Sequence, residues 1–343
     1  MVVLFHLHEG ILPAVKAWLP PLVSATLLNG NLGVEIFFVL SGFVIVESLS
    51  RAERSWGFLG RFALRRSIRL DLPLWSMIAI EMVLIRASLL FFPSLGTAMP
   101  STAQLLANIT YSQHFLGYRD VIPVFWSLTF EVQFYLVTAV SLVIFSKTRV
   151  PRPVRDGCFA LVFIYSLLIW LSLLDSPLYG LFIDRWYQFS LGILAWARVR
   201  NRVSPSLLLA VLGVTTGAAL LSPAAGYRLL STLTTVATCA VLVSVGAAGR
   251  MQTALSGPVI QYLGRISYSL YLIHLSIGWR FISLCRKLFG PEFGPAAGTA
   301  VFLGGIGVSV LAAAALYLLC ESPAIRLAQH VRMRRAPSST PAH

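Results

Sequence analysis

The sequence predicts an all-α fold, a bundle of about ten membrane-spanning helices, the first cut short at its N-terminus. Three observations carry this. Of 343 residues, 57 % are hydrophobic and only 12 % are charged, where a soluble domain carries about 25 % charged residues. The apolar residues run in blocks of about 20, the length that crosses a bilayer core. The mean hydropathy is +0.78. The arginines that bring the net charge to +14 sit in short segments between the apolar blocks. That placement points to a lipid surface and away from nucleic acid.

Taken in order, apolar blocks fall near residues 32–50, 72–92, 124–146, 157–174, 179–197, 205–221, 228–248, 263–284 and 297–320. The opening MVVLFHLH is too short to span and lacks the charged start of a signal peptide. It reads as the second half of a first span. The domain so defined covers residues 1–330, and 331–343 (VRMRRAPSSTPAH) read as a disordered basic and polar tail.

Charge sets the expected topology. Basic segments alternate with the blocks: Arg51, Arg54, Arg61, Arg65, Arg66 and Arg69, then Lys147, Arg149, Arg152 and Arg155, then Arg198, Arg200 and Arg202. Arg250 and Arg265, then Arg326 and the tail arginines, continue the register. By the positive-inside rule that side is cytoplasmic, with both termini on it. The cysteines Cys158, Cys239, Cys285 and Cys320 are scattered without CxxC spacing and read as small apolar residues. No metal site is expected.

Ionisable groups inside spans are costly and mark functional sites. Here they are His6, Glu35, Glu81, Glu131 and His274. Glu81 is expected to pair with nearby Arg86. In FALRRSIRLDLP, Arg61, Arg65 and Arg69 recur at i, i+4 and i+8 with Arg66 beside them. That makes one cationic helix face, suited to lipid headgroups or to the phosphates of a nucleotide-like ligand. In FWSLTFEVQFY, Ser127, Glu131 and Tyr135 share a face, and Trp126 and Gln133 line a neighbouring one, a surface suited to a sugar. In ISYSLYLIHLSI, Ser267, Tyr271 and His274 form a third stripe.

Five runs in order, NLGVEIFFVLSGFVI, RFALRRSIRLDLP, FWSLTFEVQFYL, ISYSLYLIHLSI and CESPAIR, resemble acyltransferase family 3 over residues 1–330. These are bacterial membrane O-acyltransferases of surface polysaccharides and related acceptors. The resemblance implies an essential first-span histidine at His6 and the acidic residue of the FFVLSGF block at Glu35, with Ser41 and Gly42 in that block. It implies a donor-binding basic motif at Arg65, Arg66 and Arg69. It implies acceptor-binding or cavity-lining roles for Trp126, Ser127, Glu131, Gln133, Tyr135, Tyr271 and His274, with Tyr268 and Ser269 in the same block.

Two departures stand out. The family's second acidic residue in the WSL block is Val132 here. Its first-span arginine lies roughly three helical turns before the histidine, upstream of Met1, so an earlier start is expected.

The activity so implied moves an acyl group, acetyl by default, from cytoplasmic acyl-coenzyme A to a hydroxyl of an extracytoplasmic glycan or glycosylated acceptor. No resident cofactor is needed. His6 is the expected base, oriented by Glu35 on the triad pattern. The location implied is the inner or plasma membrane. A transporter or glycan flippase is the rival class, but paired halves and matched broken helices are absent from the sequence.

Overall fold

The computed structural model describes residues 1–10, 19–50, 55–91, 98–148, 150–223, 226–290 and 293–331. Arg51, Arg54, Arg149 and the tail from residue 332 lie outside the described residues. The described residues are mostly helical, with no strand among them. The helices are α1 Val2–Glu9, α2 Pro21–Leu28, α3 Gly33–Ser50, α4 Trp56–Phe91, α5 Thr102–Ile109, α6 Phe125–Lys147, α7 Arg152–Trp170 and α8 Trp186–Val199. They continue as α9 Pro205–Leu221, α10 Tyr227–Ala247, α11 Pro258–Arg265, α12 Ser267–His274, α13 Arg280–Phe289, α14 Pro295–Leu316 and α15 Ser322–Gln329.

Among the described residues, 6 helical stretches are long and apolar enough to cross a membrane: Gly30–Ser50, Trp56–Phe91, Phe125–Lys147, Arg152–Trp170, Tyr227–Ala247 and Pro295–Gln329. The remaining expected spans are shorter or broken. The block at 205–221 is the 17-residue α9. The block at 179–197 becomes a 3-10 turn, Phe182–Arg185, ahead of the 14-residue α8. The block at 263–284 is divided among α12, a π turn at Leu275–Trp279 and α13. Conversely, the basic run and the span after it are a single helix: α4 continues through Pro73 for 36 residues. At 1.5 Å per residue this is about 54 Å, longer than a hydrocarbon core, so its arginine-bearing start lies outside the apolar layer.

The chain forms two compact units. Among the described residues the first comprises those within 1–33, 66–128 and 255–330, and the second those within 34–65 and 129–254. In the first, Leu74, Met77 and Ile78 of α4 pack with Ile122, Phe125, Leu272, Ile273, Ala313 and Leu316. Glu81 of α4 is paired with Arg280 of α13, at 2.6 and 3.0 Å, rather than with Arg86. An i+5 neighbour has turned past the i+4 register in which side chains meet, whereas Arg280 reaches across from a facing helix.

In the second unit α3 and α8 cross backbone to backbone. A Cβ added to Gly42 would sit 2.0 Å from the Phe189 carbonyl oxygen, and one on Gly192 would sit 2.0 Å from that of Val39. Small residues at a crossing are the usual way to bring membrane helices together, because lipid tails supply no hydrophobic force between them. Around the crossing, Phe134 stacks on Phe189 at 4.1 Å, and Phe38 meets Phe189 at 4.7 Å. This close approach brings Glu35, near the start of α3, against the beginning of α8.

Gly42→Ala and Gly192→Ala should each cost roughly 1–3 kcal/mol through overpacking. The thermal midpoint of detergent-solubilised protein reads this. Gly213→Ala in α9, where nothing lies within 4 Å of an added Cβ, should leave the midpoint unchanged or raise it. Equal midpoints for all three variants would show that the crossing is not tight.

Candidate active site

In the first unit α1 carries His6 against α12. The His6 ring lies 5.4 Å from that of His274, centroid to centroid, tilted by 33°. His6 is 24 % exposed, and its Nδ1 stands 3.7 Å from Oε2 of Glu9, one turn on. His274 is fully buried. Its Nδ1 lies 2.8 Å from the Tyr271 carbonyl oxygen and 3.1 Å from that of Leu270. Carbonyls only accept, so Nδ1 carries the hydrogen and Nε2 of the neutral ring is a bare lone pair. That Nε2 is buried and has no hydrogen-bond partner.

Three other polar side chains of α12 are tied to their surroundings. The Tyr268 hydroxyl donates to the Leu70 carbonyl at 2.7 Å. The Tyr271 hydroxyl donates to the Val124 carbonyl at 3.1 Å and shares a hydrogen with the Ser127 hydroxyl at 2.6 Å. Tyr271 and Ser127, from two separate sequence stripes, are thereby brought together. Glu321, 4 % exposed, accepts from the backbone N–H of Ser269 at 3.1 Å and from its hydroxyl at 2.6 Å.

In the second unit Glu35 is fully buried and accepts from three side chains. The Tyr227 hydroxyl donates at 2.6 Å, Arg185 Nη1 reaches both oxygens at 3.4 and 3.5 Å, and Gln188 Nε2 donates to Oε2. Arg185 is only 12 % exposed. Its guanidinium lies 3.8 Å above the Trp170 ring, a cation–π contact strengthened by the dry surroundings. The sequence alone did not single out Arg185, Gln188 or Tyr227. The signal it did contain was Asp184 and Arg185 side by side within the apolar block at 179–197.

The remaining expected residues divide by role. Glu131, 7 % exposed, accepts from the Ser41 hydroxyl at 3.3 Å. Both ends of the Gln133 amide are bonded to backbone: Nε2 donates to the Gly180 carbonyl at 2.8 Å, and Oε1 accepts from the Phe182 N–H at 3.1 Å. Gln133 therefore clamps the turn that leads to Arg185. Tyr135 is buried, with its ring edge-on to Phe62 at 6.0 Å. Trp126 is half-buried near the start of α6. Arg65 and Arg69 are exposed one turn apart on α4, and Arg66 between them is half-buried. Among the described residues no three His, Cys, Asp or Glu side chains are placed to hold a metal ion.

Comparison with known proteins agrees with this picture. The family model for the acyltransferase domain of acyltransferase family 3 matches residues 1–318. A membrane-bound transacylase of Komagataeibacter xylinus, BcsY, is 29 % identical over 293 residues, which is 80 % of this chain and 68 % of that protein. The peptidoglycan O-acetyltransferase OatA of Listeria monocytogenes is 29 % identical over 163 residues, 43 % of this chain but only 25 % of that protein. No solved structure matches. With nearly its whole length matched and its long apolar helices built for a bilayer, the chain belongs to acyltransferase family 3 and is a multi-pass membrane O-acyltransferase.

Proposed function

We propose that the protein transfers an acyl group, acetyl by default, from cytoplasmic acyl-coenzyme A to a hydroxyl of an extracytoplasmic glycan or glycosylated acceptor. The observation that carries this reading is His6: a histidine in an apolar helix, with an accessible edge, a carboxylate one turn away and a second imidazole against its ring. An acyl transfer to a hydroxyl needs such a base, because an alcohol is a poor nucleophile while it keeps its proton.

In the transfer His6 takes the hydroxyl proton, the oxygen attacks the thioester carbonyl, and the carbon–sulfur bond breaks. Coenzyme A then leaves as a thiolate that recovers the proton from the imidazolium. Glu35, expected from the sequence to orient His6, has Arg185, Gln188 and Tyr227 as its hydrogen-bond donors, and in this reading it serves by keeping a fixed cation at the head of α8. Arg65, Arg66 and Arg69 supply charge-assisted hydrogen bonds to the donor's phosphates. In the first unit Trp126, Ser127 and Tyr271 offer aromatic and hydroxyl groups to the acceptor, and in the second unit Glu131, Gln133 and Tyr135 serve as lining residues.

The same reading keeps about ten membrane passages, some of them made by short or broken helices, with both termini cytoplasmic. The short α8 and α9 and the interrupted α12–α13 pass are compatible with that count when buried among other helices. OatA is named for acetyl transfer to peptidoglycan, and this supports a cell-surface glycan as the acceptor class.

Purified protein in bilayers should release free thiol from acyl-coenzyme A, most readily from the acetyl form. His6→Ala should lower that rate by at least about 10²-fold, the usual worth of a general base, while membrane levels of the protein stay the same. Undiminished release from this variant would remove His6 from the base role. Thiol release from no donor, with solute movement instead, would favour a transporter.

The phosphate contacts have a separate readout. Arg65→Ala and Arg69→Ala should each raise the donor KM on the order of tenfold, the loss of one charge-assisted hydrogen bond, with little change in kcat. An unchanged KM in both variants would reject the phosphate dock.

A further inference from the structure

We propose that His274 accepts a hydrogen bond from Nε2–H of His6, fixing the tautomer in which His6 Nδ1 is the base. We further assign Glu321 as the positioning residue that holds His274 in place. The inference rests on the acyl-transfer reading and adds to it the group that orients the base.

The tautomer of His274 is set by its surroundings. Two backbone carbonyls hold its hydrogen on Nδ1, leaving Nε2 as a buried acceptor without a partner. A buried acceptor left unsatisfied is destabilising, so a donor is expected beside it. The neighbouring ring is His6. With the ring centroids 5.4 Å apart, a turn of the rings that aims one nitrogen of each at the other brings them to hydrogen-bond length, about 3 Å.

His6 has its Nδ1 on the Glu9 side, 3.7 Å from Oε2, which leaves Nε2 for His274. A neutral His6 has one hydrogen to place. Directed at the His274 lone pair, it leaves Nδ1 bare and able to take a hydroxyl proton. The imidazolium formed then has His274 as acceptor at Nε2 and the Glu9 carboxylate as counter-charge 3.7 Å from Nδ1. Both contacts are stronger to the charged ring than to the neutral one, and interactions of that kind are the ones that accelerate a reaction.

The mount supports this assignment. Helix α12 is only 8 residues long, yet it is tied through Tyr268 to Leu70, through Tyr271 to Val124, and through Ser269 to Glu321. Glu321 accepts the Ser269 N–H in the first turn of α12, where backbone donors lack intrahelical partners. It closes the π turn Tyr317–Glu321, and a second π turn, Leu275–Trp279, begins directly after His274. Each extra residue in a turn rotates the rest of the helix by about 100°, and such turns recur at functional sites. Both ends of the clamp thus sit where the helix register has been reset.

The test is solid-state NMR of reconstituted protein with 15N-labelled histidine, together with kinetics. The wild type should show a protonated Nδ1 and a bare, hydrogen-bonded Nε2 at His274, assigned by the loss of its signals in His274→Ala, and that Nε2 signal should shift in His6→Ala. Glu321→Ala should broaden or split it, and Glu321→Gln, which keeps one acceptor oxygen, should largely restore it. In turnover, His274→Ala should lower kcat by roughly 10²-fold at nearly constant donor KM. His274→Gln, which places an acceptor oxygen near the Nε2 position, should recover part of the loss.

An Nε2–H tautomer at His274, or a signal indifferent to His6→Ala, would overturn the inference. The NMR result does not depend on turnover. The expected coupling without thiol release from any acyl-coenzyme A would sink the acyl-transfer reading and leave the pairing of the two histidines standing.

Discussion

A carboxylate cannot remain charged in hydrocarbon without donors around it, and the second unit is organised by the need to supply them to Glu35. An ionised group moved out of water without partners costs several kcal/mol even after relaxation. Glu35 is fully buried and receives hydrogen bonds from Arg185, Gln188 and Tyr227, which come from the turn before α8, the start of α8 and the start of α10. For these donors to converge, α8 must begin late, after a 3-10 turn, and must lie directly against α3. The glycines at 42 and 192 permit that approach, and the Gln133 amide fixes the turn that delivers Arg185. A single buried charge thereby accounts for a shortened helix, a backbone-to-backbone crossing and a clamped turn.

The first unit meets the same requirement in other ways. Glu81 is satisfied by a bidentate guanidinium from a facing helix. Glu321 is satisfied mainly by a helix terminus, where unpaired backbone N–H groups are already present. The Ser127 and Tyr271 hydroxyls form a chain to the Val124 carbonyl, Ser127 donating to Tyr271 and Tyr271 to the carbonyl. Against this pairing, the bare Nε2 of His274 is conspicuous. Native proteins tolerate few such atoms, and those that persist have a physical reason. Its position beside the His6 ring supplies one.

Irregular helices are the means by which these contacts are reached. In a membrane the backbone must stay hydrogen-bonded within the chain, so a helix can be offset by a π turn but not opened freely. The π turns after His274 and before Ser322 are such offsets. The first of them is why the face occupied by His274 does not continue along α13.

Membrane class, helical content and the family were legible in the sequence, because each rests on local properties: apolar runs of bilayer length, basic residues between them, and short motifs in order. The presence of His6, Glu35, Glu131 and His274 within apolar blocks was legible for the same reason, since an ionisable group stands out against its neighbours. Their partners were not. Arg86 is near Glu81 in sequence, yet Arg280, 199 residues away, is the cation that reaches it. Gln133 has the character of a sugar-binding residue until both ends of its amide are seen on the backbone of another segment. Composition and periodicity therefore determined that this chain is a helical membrane protein and which side chains are costly to bury, and the family resemblance of its motifs marked it as an enzyme. Only the tertiary structure decided which donor meets which acceptor, because that pairing depends on helix crossings and register offsets that no local pattern encodes.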